Sequence, residues 1–274
     1  MMTLAPQQPT HRDDEEDRAI PRTDCVADSA GGLTFDIADR GEPGPAHLVL
    51  FLRDSDQRVS LPLTPAGDGR LRAALPSGVD VPEGRWDAYL QVAGGEPSRL
   101  SPGLNDLRSL VDRAPTADRI AVRIPYGTKH GNLTIRSWER SPHAEAGALH
   151  IGDGELEVTV ETYGTEPTPD AYAEFTDREE SAPAVRAELT PGQGGFRCAV
   201  AYGALRPGTW DLWLRPRGEN GPRVRIARLL DDIVDKHPVF VYPRTRVETD
   251  HGPLEAEPFY TADNDLSVRV GAVS

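Results

Sequence analysis

The sequence predicts an all-β protein built as two tandem sandwiches, and three observations carry that reading. The chain has 26 Gly and 25 Pro spread along its length without a fixed period, which implies many turns and few long helices. Its apolar residues alternate with polar ones over runs of four to seven residues, with a turn signal every ~8–12, as in strands with one buried face. Finally, the second half of the chain repeats the first. Pro82-Glu83-Gly84-Arg85-Trp86-Asp87-Ala88-Tyr89-Leu90 recurs as Arg206-Pro207-Gly208-Thr209-Trp210-Asp211-Leu212-Trp213-Leu214, with the tryptophans 124 residues apart. Leu63-Thr64-Pro65 recurs as Leu189-Thr190-Pro191, and Tyr126 with Asn132-Leu133-Thr134-Ile135-Arg136 matches Tyr260 with Asp265-Leu266-Ser267-Val268-Arg269.

Residues 1–24 are rich in Pro, Gln and charge and lack an apolar period, so they are expected to form a disordered acidic tail. The first sandwich is expected over 25–142. Its strands run Leu33 to Ile37, His47 to Leu52, Val59 to Leu63, Arg70 to Leu75, Trp86 to Val92, Ile120 to Ile124 and Leu133 to Trp138. A link is expected within 140–150, and the second sandwich over 148–274. Its strands run Glu155 to Thr162, Ala171 to Thr176, Ala184 to Leu189, Phe196 to Tyr202, Trp210 to Arg215, Val224 to Leu229, Val239 to Tyr242 and Leu266 to Val270. Only Asn105 to Asp112 and Arg228 to Lys236 offer a helical turn or two. In each repeat, glycine makes a tight entry and the following indole enters the core between two sheets. Immunoglobulin-like folds place an aromatic in a comparable strand.

Composition then narrows the function. Against 30 Lys+Arg stand 44 Asp+Glu, a formal charge of −14, and basic clusters are absent, which excludes a nucleic-acid backbone or an anionic membrane surface as partner. The N-terminus lacks the basic and apolar regions of a secretory signal, and the strongest apolar run, Ala46 to Leu52, is far shorter than the ~20 residues of a membrane span. A cytoplasmic protein is expected. The two cysteines suit no disulfide framework, and Cys198 alternates with Phe196 and Val200 as a small core residue.

No sequence pattern defines catalytic residues, a cofactor site or a metal site. Glycine-rich phosphate loops and a Gly-x-Ser-x-Gly elbow are absent. Asp263-Asn264-Asp265 formally resembles a sugar-nucleotide Asp-x-Asp but sits in a turn that Asx residues make by themselves. His143, Glu145, His150 and Asp153 match no compact zinc spacing. The loop Tyr126-Gly127-Thr128-Lys129-His130-Gly131-Asn132 is the richest in hydrogen-bonding groups. Its bland reading is a hairpin closed by Gly131-Asn132. Its functional reading is a ligand site of Tyr126, Lys129, His130, Asn132 and Trp138, since loops on rigid sandwiches often carry function.

The segment from Ile124 to Arg136 resembles a Pro-Tyr-x-Thr-x-x-Gly-Asn-Leu-Ser element of bacterial, especially actinobacterial, teichoic-acid-type glycopolymer glycosyltransferases and polyol-phosphate transferases. It lies in their β-rich C-terminal regions. The resemblance covers about 25–272 without a catalytic part, and implies tandem immunoglobulin-like domains for assembly or polymer handling. The second repeat departs from the element, lacking its lysine, histidine and glycine-asparagine pair. Together the readings favour a non-catalytic accessory or carbohydrate-recognition protein with a glycan or a glycosyltransferase as partner. The alternatives are a scaffold that dimerises or docks a transferase through sheet edges or Arg228 to His237, and an enzyme whose site forms between the sandwiches, with His130 facing an acid from the other repeat.

Overall fold

The computed structural model describes residues 20–273 except 112, 114, 116, 117, 193 and 251. The greater part of the expected tail therefore lies outside the described residues. The first repeat comprises β1 (Arg22–Ala27), β2 (Leu33–Ala38), β3 (Ala46–Leu52), β4 (Arg58–Pro62), β5 (Thr64–Ala66), β6 (Arg70–Leu75), β7 (Gly84–Val92), β8 (Ser98–Arg99), β9 (Ser101–Asp106), the single turn α1 (Arg108–Val111), β10 (Ile120–Gly127) and β11 (Leu133–Arg140). One sheet has the order β5-β6-β2-β1-β9; the other has β10-β11-β7-β3-β4, with β8 also on β7.

The second repeat comprises β12 (His143–Gly152), β13 (Glu155–Tyr163), β14 (Tyr172–Asp177), β15 (Val185–Glu188), β16 (Thr190–Gly192), β17 (Gly195–Ala201), β18 (Gly208–Arg215), β19 (Val224–Ala227), β20 (Thr245–Thr249), β21 (Gly252–Tyr260) and β22 (Leu266–Ala272). It follows the same pairing plan, except that β19 pairs with both β12 and β18 and so joins its strands into one 11-stranded sheet. β7 gives one edge to β11 at residues 84–87 and to β8 at 89–90, just as β18 gives one edge to β22 at 208–211 and to β19 at 213–214. The strand that leaves this edge then runs parallel to the first strand of its repeat: β9 beside β1, and β19 beside β12. This is the immunoglobulin-like tandem sandwich that the alternation and the repeat predict.

The tryptophans anchor both cores. Trp86 and Trp210 are each 1 % exposed, and each indole N–H donates to the carbonyl four residues back, Pro82 at 3.0 Å and Arg206 at 2.8 Å. Burial without a lost hydrogen bond is what an indole in a core requires. Gly84 enters the strand at φ +157°, a conformation that favours glycine, and an added Cβ would have to displace the Leu52 side chain. Cys25 and Cys198 are buried, and burial pushes both thiols up to about 12, which makes them inert core residues.

Four expectations shift. Residues 22–24, placed in the tail, begin β1, because pairing with β2 and β9 satisfies their backbone. The expected link is largely strand: β12 starts at His143, three residues after β11 ends. Arg228 to Lys236 forms bends rather than a helical turn. Val239 to Tyr242 is irregular rather than a strand: it leaves a turn over 237–239 in which the amides of Val239 and Phe240 both donate to the Lys236 carbonyl, and the Phe240 ring meets Tyr260 edge-on at 5.8 Å.

The repeats pack together. The core cluster of the first sandwich includes Tyr163, Ala227 and Leu229 from the second, with Leu230 and Val234 against it. β11 is consequently buried on both faces: Ile135 lies on one, and Arg136 and Trp138 on the other.

Candidate functional site

The hairpin β10–β11 positions the predicted loop. Thr128 N–H donates to the Asn132 carbonyl at 2.9 Å and Gly131 N–H to the Thr128 carbonyl at 2.9 Å, while the Thr128 hydroxyl accepts from the amides of His130 and Asn132. Gly131 supplies the positive φ that closes the turn, +74°. The second repeat builds the same loop from Thr261 to Asp265, with identical hydrogen bonds and Asn264 at φ 62° in place of the glycine. Asparagine tolerates that conformation, so the sequence difference at this position leaves the backbone unchanged. Register also corrects one match. Tyr126 pairs with Thr134 and Phe259 with Ser267, so Tyr126 corresponds to Phe259 rather than to Tyr260.

Of the five predicted ligand residues, Lys129 and His130 are exposed on the loop, and Tyr126 and Asn132 are half-buried beside it. Trp138 does not join them. It is 1 % exposed on the face of β11 that the second repeat covers, with the Arg136 guanidinium 4.8 Å over its ring, so it offers no face to a ligand.

The structure brings Tyr126 instead to a cluster that sequence reasoning did not single out. Cross-strand pairs put Phe51, Asp87, Thr134 and Tyr126 in one row across β3, β7, β11 and β10, on the face opposite the Trp86 core. Asp87 is the hub. It accepts from Thr134 Oγ1 at 2.8 Å and from Arg53 Nε and Nη2 at 3.1 and 2.8 Å, and pairs with Arg99 at 3.3 Å. Arg99 lies 4.8 Å over the Tyr89 ring, which meets Phe51 edge-on at 5.3 Å. Burial opposes ionisation of Asp87, but the hydrogen bonds from Arg53 and Thr134 and the charges of Arg99 and Arg53 outweigh it and hold the carboxyl below its usual range.

The hub is duplicated. Asp211 accepts from Ser267 Oγ at 2.9 Å and from Arg178 Nη2 at 2.6 Å and pairs with Arg225 at 3.4 Å, and Arg225 lies 4.8 Å over Trp213. Its carboxyl is likewise held low, burial being outweighed by Arg178, Arg225 and Ser267. A signal is present in the sequence, since Asp follows Trp in both copies of the repeated unit and Thr134 matches Ser267.

The two hubs differ in what covers them. In the second repeat Arg225 reaches on to Asp265 at 3.5 Å, and Asp265 binds Arg140 of the first repeat at 3.0 Å, while Asp263 binds Arg136 at 2.9 Å. The formal Asp-x-Asp is thus a turn that ties the sandwiches together. Trp213 is held by Arg223, Arg225 and the Thr176 hydroxyl, and Phe259 lies under Arg269 and against His237. In the first repeat neutral Asn132 replaces Asp265, Arg99 pairs with Asp87 alone among the described residues, and Arg53 stays 39 % exposed.

Other predicted elements are occupied. Glu145 accepts from His143 at 2.7 Å and from the amides of Leu229 and Leu230, a buried backbone clamp. Lys236 is 0 % exposed and pairs with Asp231 at 2.6 Å, and Leu229, Leu230 and Val234 of the same segment pack against the first core, so these side chains are committed to the junction. Among the described residues, no hydrogen bond or ion pair joins the His130 ring to a carboxylate, no group of three or more His, Cys, Asp or Glu could hold a metal, and no helix is long and apolar enough to cross a membrane.

No protein-family model and no curated protein matches the chain. Among solved structures it is similar to S. aureus TarS, with 15 % identity over 66 % of this chain and 35 % of that one, at a TM-score of 0.29. It is also similar to a pullulanase complexed with maltotriose from Anoxybacillus sp. LM18-11, with 9 % identity over 70 % of this chain and 24 % of that one, at a TM-score of 0.24. The chicken CNTN1 FN1–FN3 domains give 10 % identity over 88 % and 75 %, at 0.20. The chain spans about a third of the TarS chain, and at these scores none of the likenesses bears on function.

Proposed function

We propose that this chain is a non-catalytic carbohydrate-recognition or accessory protein that works beside a cell-wall glycopolymer glycosyltransferase and binds its glycan through the outer sheet face of the first repeat. The observation that carries the reading is the row Phe51, Asp87, Thr134, Tyr126, where aromatic rings flank a charged hydrogen-bonding hub. Sugars are held by aromatic faces against their C–H surface and by a few fixed polar groups against their hydroxyls. Arg53 and Tyr126 supply one of each at the open side of the hub, and Lys129 and His130 extend the surface along the loop. The resemblance of Ile124 to Arg136 to the C-terminal regions of glycopolymer transferases supports the same class of ligand.

Calorimetry with short glycosylated polyol-phosphate oligomers tests it. Tyr126→Ala and Arg53→Ala are each expected to weaken binding about tenfold, the worth of one aromatic contact or one charge-assisted hydrogen bond. Asn132→Ala is expected to weaken it less. Unchanged affinity in Tyr126→Ala and Arg53→Ala removes this face from consideration.

A further inference from the structure

One end of the first sandwich concentrates positive charge in a chain that is otherwise strongly acidic. A cavity of about 200 Å³ is lined by Arg113, Arg119 and Arg123 together with Gly31, Ser77 and Gly78. The guanidinium of Arg123 donates from Nη1 to the Pro76 carbonyl at 2.9 Å and from Nη2 to the Val79 carbonyl. Both acceptors are backbone carbonyls, so its orientation is fixed without a carboxylate in direct contact. Arg119 pairs with Glu139 at 2.6 Å. Arg113 lies flat against Gly31, where an added Cβ would sit 2.9 Å from Nη1. Its Nη1 is buried and has no hydrogen-bond partner among the described residues.

Acids stand near this set, Asp28 by Arg113 and Glu139 and Asp80 by Arg123, but none of them fills the free Arg113 donor. Asp28 is the carboxylate that favours charged Arg113, yet its Oδ1 is engaged by the amides of Ala30 and Gly32 at 2.8 and 2.9 Å. Glu139 is committed to Arg119. Burial lowers the proton affinity of both Arg113 and Arg123; on Arg123 the charges of Glu139 and Asp80 oppose this and those of Arg113 and Arg119 add to it. Arg113 is half-buried, and a buried guanidinium N–H left without an acceptor is costly until an anion completes it. The volume is below the ~300–1,000 Å³ of pockets that enclose a drug-sized ligand, so the space suits one oxyanion and a few carbons.

We propose that this cavity is a binding site for a phosphate-type oxyanion, free or as a small phosphate ester, with Arg113 as its primary ligand. Planar guanidinium forks match phosphate oxygens in pairs, and the fixed Arg123 preorganises a second positive charge. The site does not depend on the sugar face, and it is tested with ligands that carry no glycan.

The experiment is calorimetric titration of the full chain at constant ionic strength with inorganic phosphate and, separately, sn-glycerol 3-phosphate. Two variants accompany it. Arg113→Gln removes the unpartnered donor. Gly78→Asp places a carboxylate at the cavity, where an added Cβ meets nothing within 4 Å, so folding is not at risk from a clash. Saturable binding by the wild type is expected, weakened at least about tenfold in both variants, consistent with loss of a charge-assisted contact. Tighter binding of the ester than of the free ion assigns the site to a phosphate ester, and equal binding assigns it to phosphate itself. Absence of saturable binding to both ligands, or wild-type affinity in Gly78→Asp, overturns the proposal.

Discussion

Asp87 and Asp211 do the same work in their two sandwiches, each gathering two arginines and a hydroxyl on the outer face of a sheet. Removing such an acceptor leaves several partly buried donors without their partner, so Asp87→Ala is expected to lower unfolding free energy by about 1–2 kcal/mol, read by urea denaturation. Thr134→Val, which deletes one hydrogen bond, should cost about 0.5–1.5 kcal/mol. The pH dependence follows from the direction of the shift. Because both carboxyls are held low in the folded state, the native protein binds fewer protons than the unfolded chain across that range. Their contribution is complete above the unfolded carboxyl value of about 3.9 and is lost as pH falls through the lower folded value. Stability measured between about pH 5 and pH 2 should therefore fall less steeply in Asp87→Asn than in the wild type; an equal slope counts against the hub.

At the scale of elements, the loops Thr128–Asn132 and Thr261–Asp265 have one backbone built from two sequences. Asn264 does a second job there. Its side-chain Oδ1 accepts from the Lys236 amide at 3.1 Å and its Nδ2 donates to the Val234 carbonyl at 3.1 Å. Gly131→Ala is expected to cost about 1 kcal/mol through its positive φ alone. Asn264→Gly should cost about 1–3 kcal/mol, because it keeps the turn but strands the Lys236 amide and the Val234 carbonyl; thermal melts of the two variants compare them. These elements also mark how far the sequence could be read. Strands with one buried face, such as β2 around Phe35 and β17 around Cys198, were visible from alternation. β12 was not, because its first residues, His143 to Ala146, are all buried and so do not alternate: Ala144 and Ala146 lie in the second core, while Glu145 holds the Leu229 and Leu230 amides and His143 stacks on Tyr163. Trp138 was misplaced because a tryptophan beside a polar loop looks available until the second sandwich covers it. The hub at Asp87 depends on which residues of β3, β7 and β11 lie opposite each other, and register is a tertiary property that spacing along one strand does not contain.

The whole molecule is two copies of one plan joined by an asymmetric use of equal parts. In the second repeat the hub, through Arg225, Asp265 and Arg140, belongs to the junction; in the first it opens outward. The matching tryptophans lie 124 residues apart and the matching loop threonines 133, and the intervening stretch in the second repeat contains the buried Lys236 and the Leu229 and Leu230 amides that bind Glu145. Glu145→Ala is expected to destabilise the junction by about 1–3 kcal/mol by stranding those amides, and to separate one thermal transition into two by calorimetry. The division of labour between the hubs is what nuclear magnetic resonance can map directly, by titrating the full chain with a glycosylated polyol-phosphate oligomer. Amide shifts are predicted at Phe51, Arg53, Asp87, Tyr89 and Tyr126 to Thr134, with the equivalent Thr176, Arg178, Asp211 and Trp213 unmoved. Shifts confined to the second repeat, or none on the first face at saturating ligand, would contradict the account.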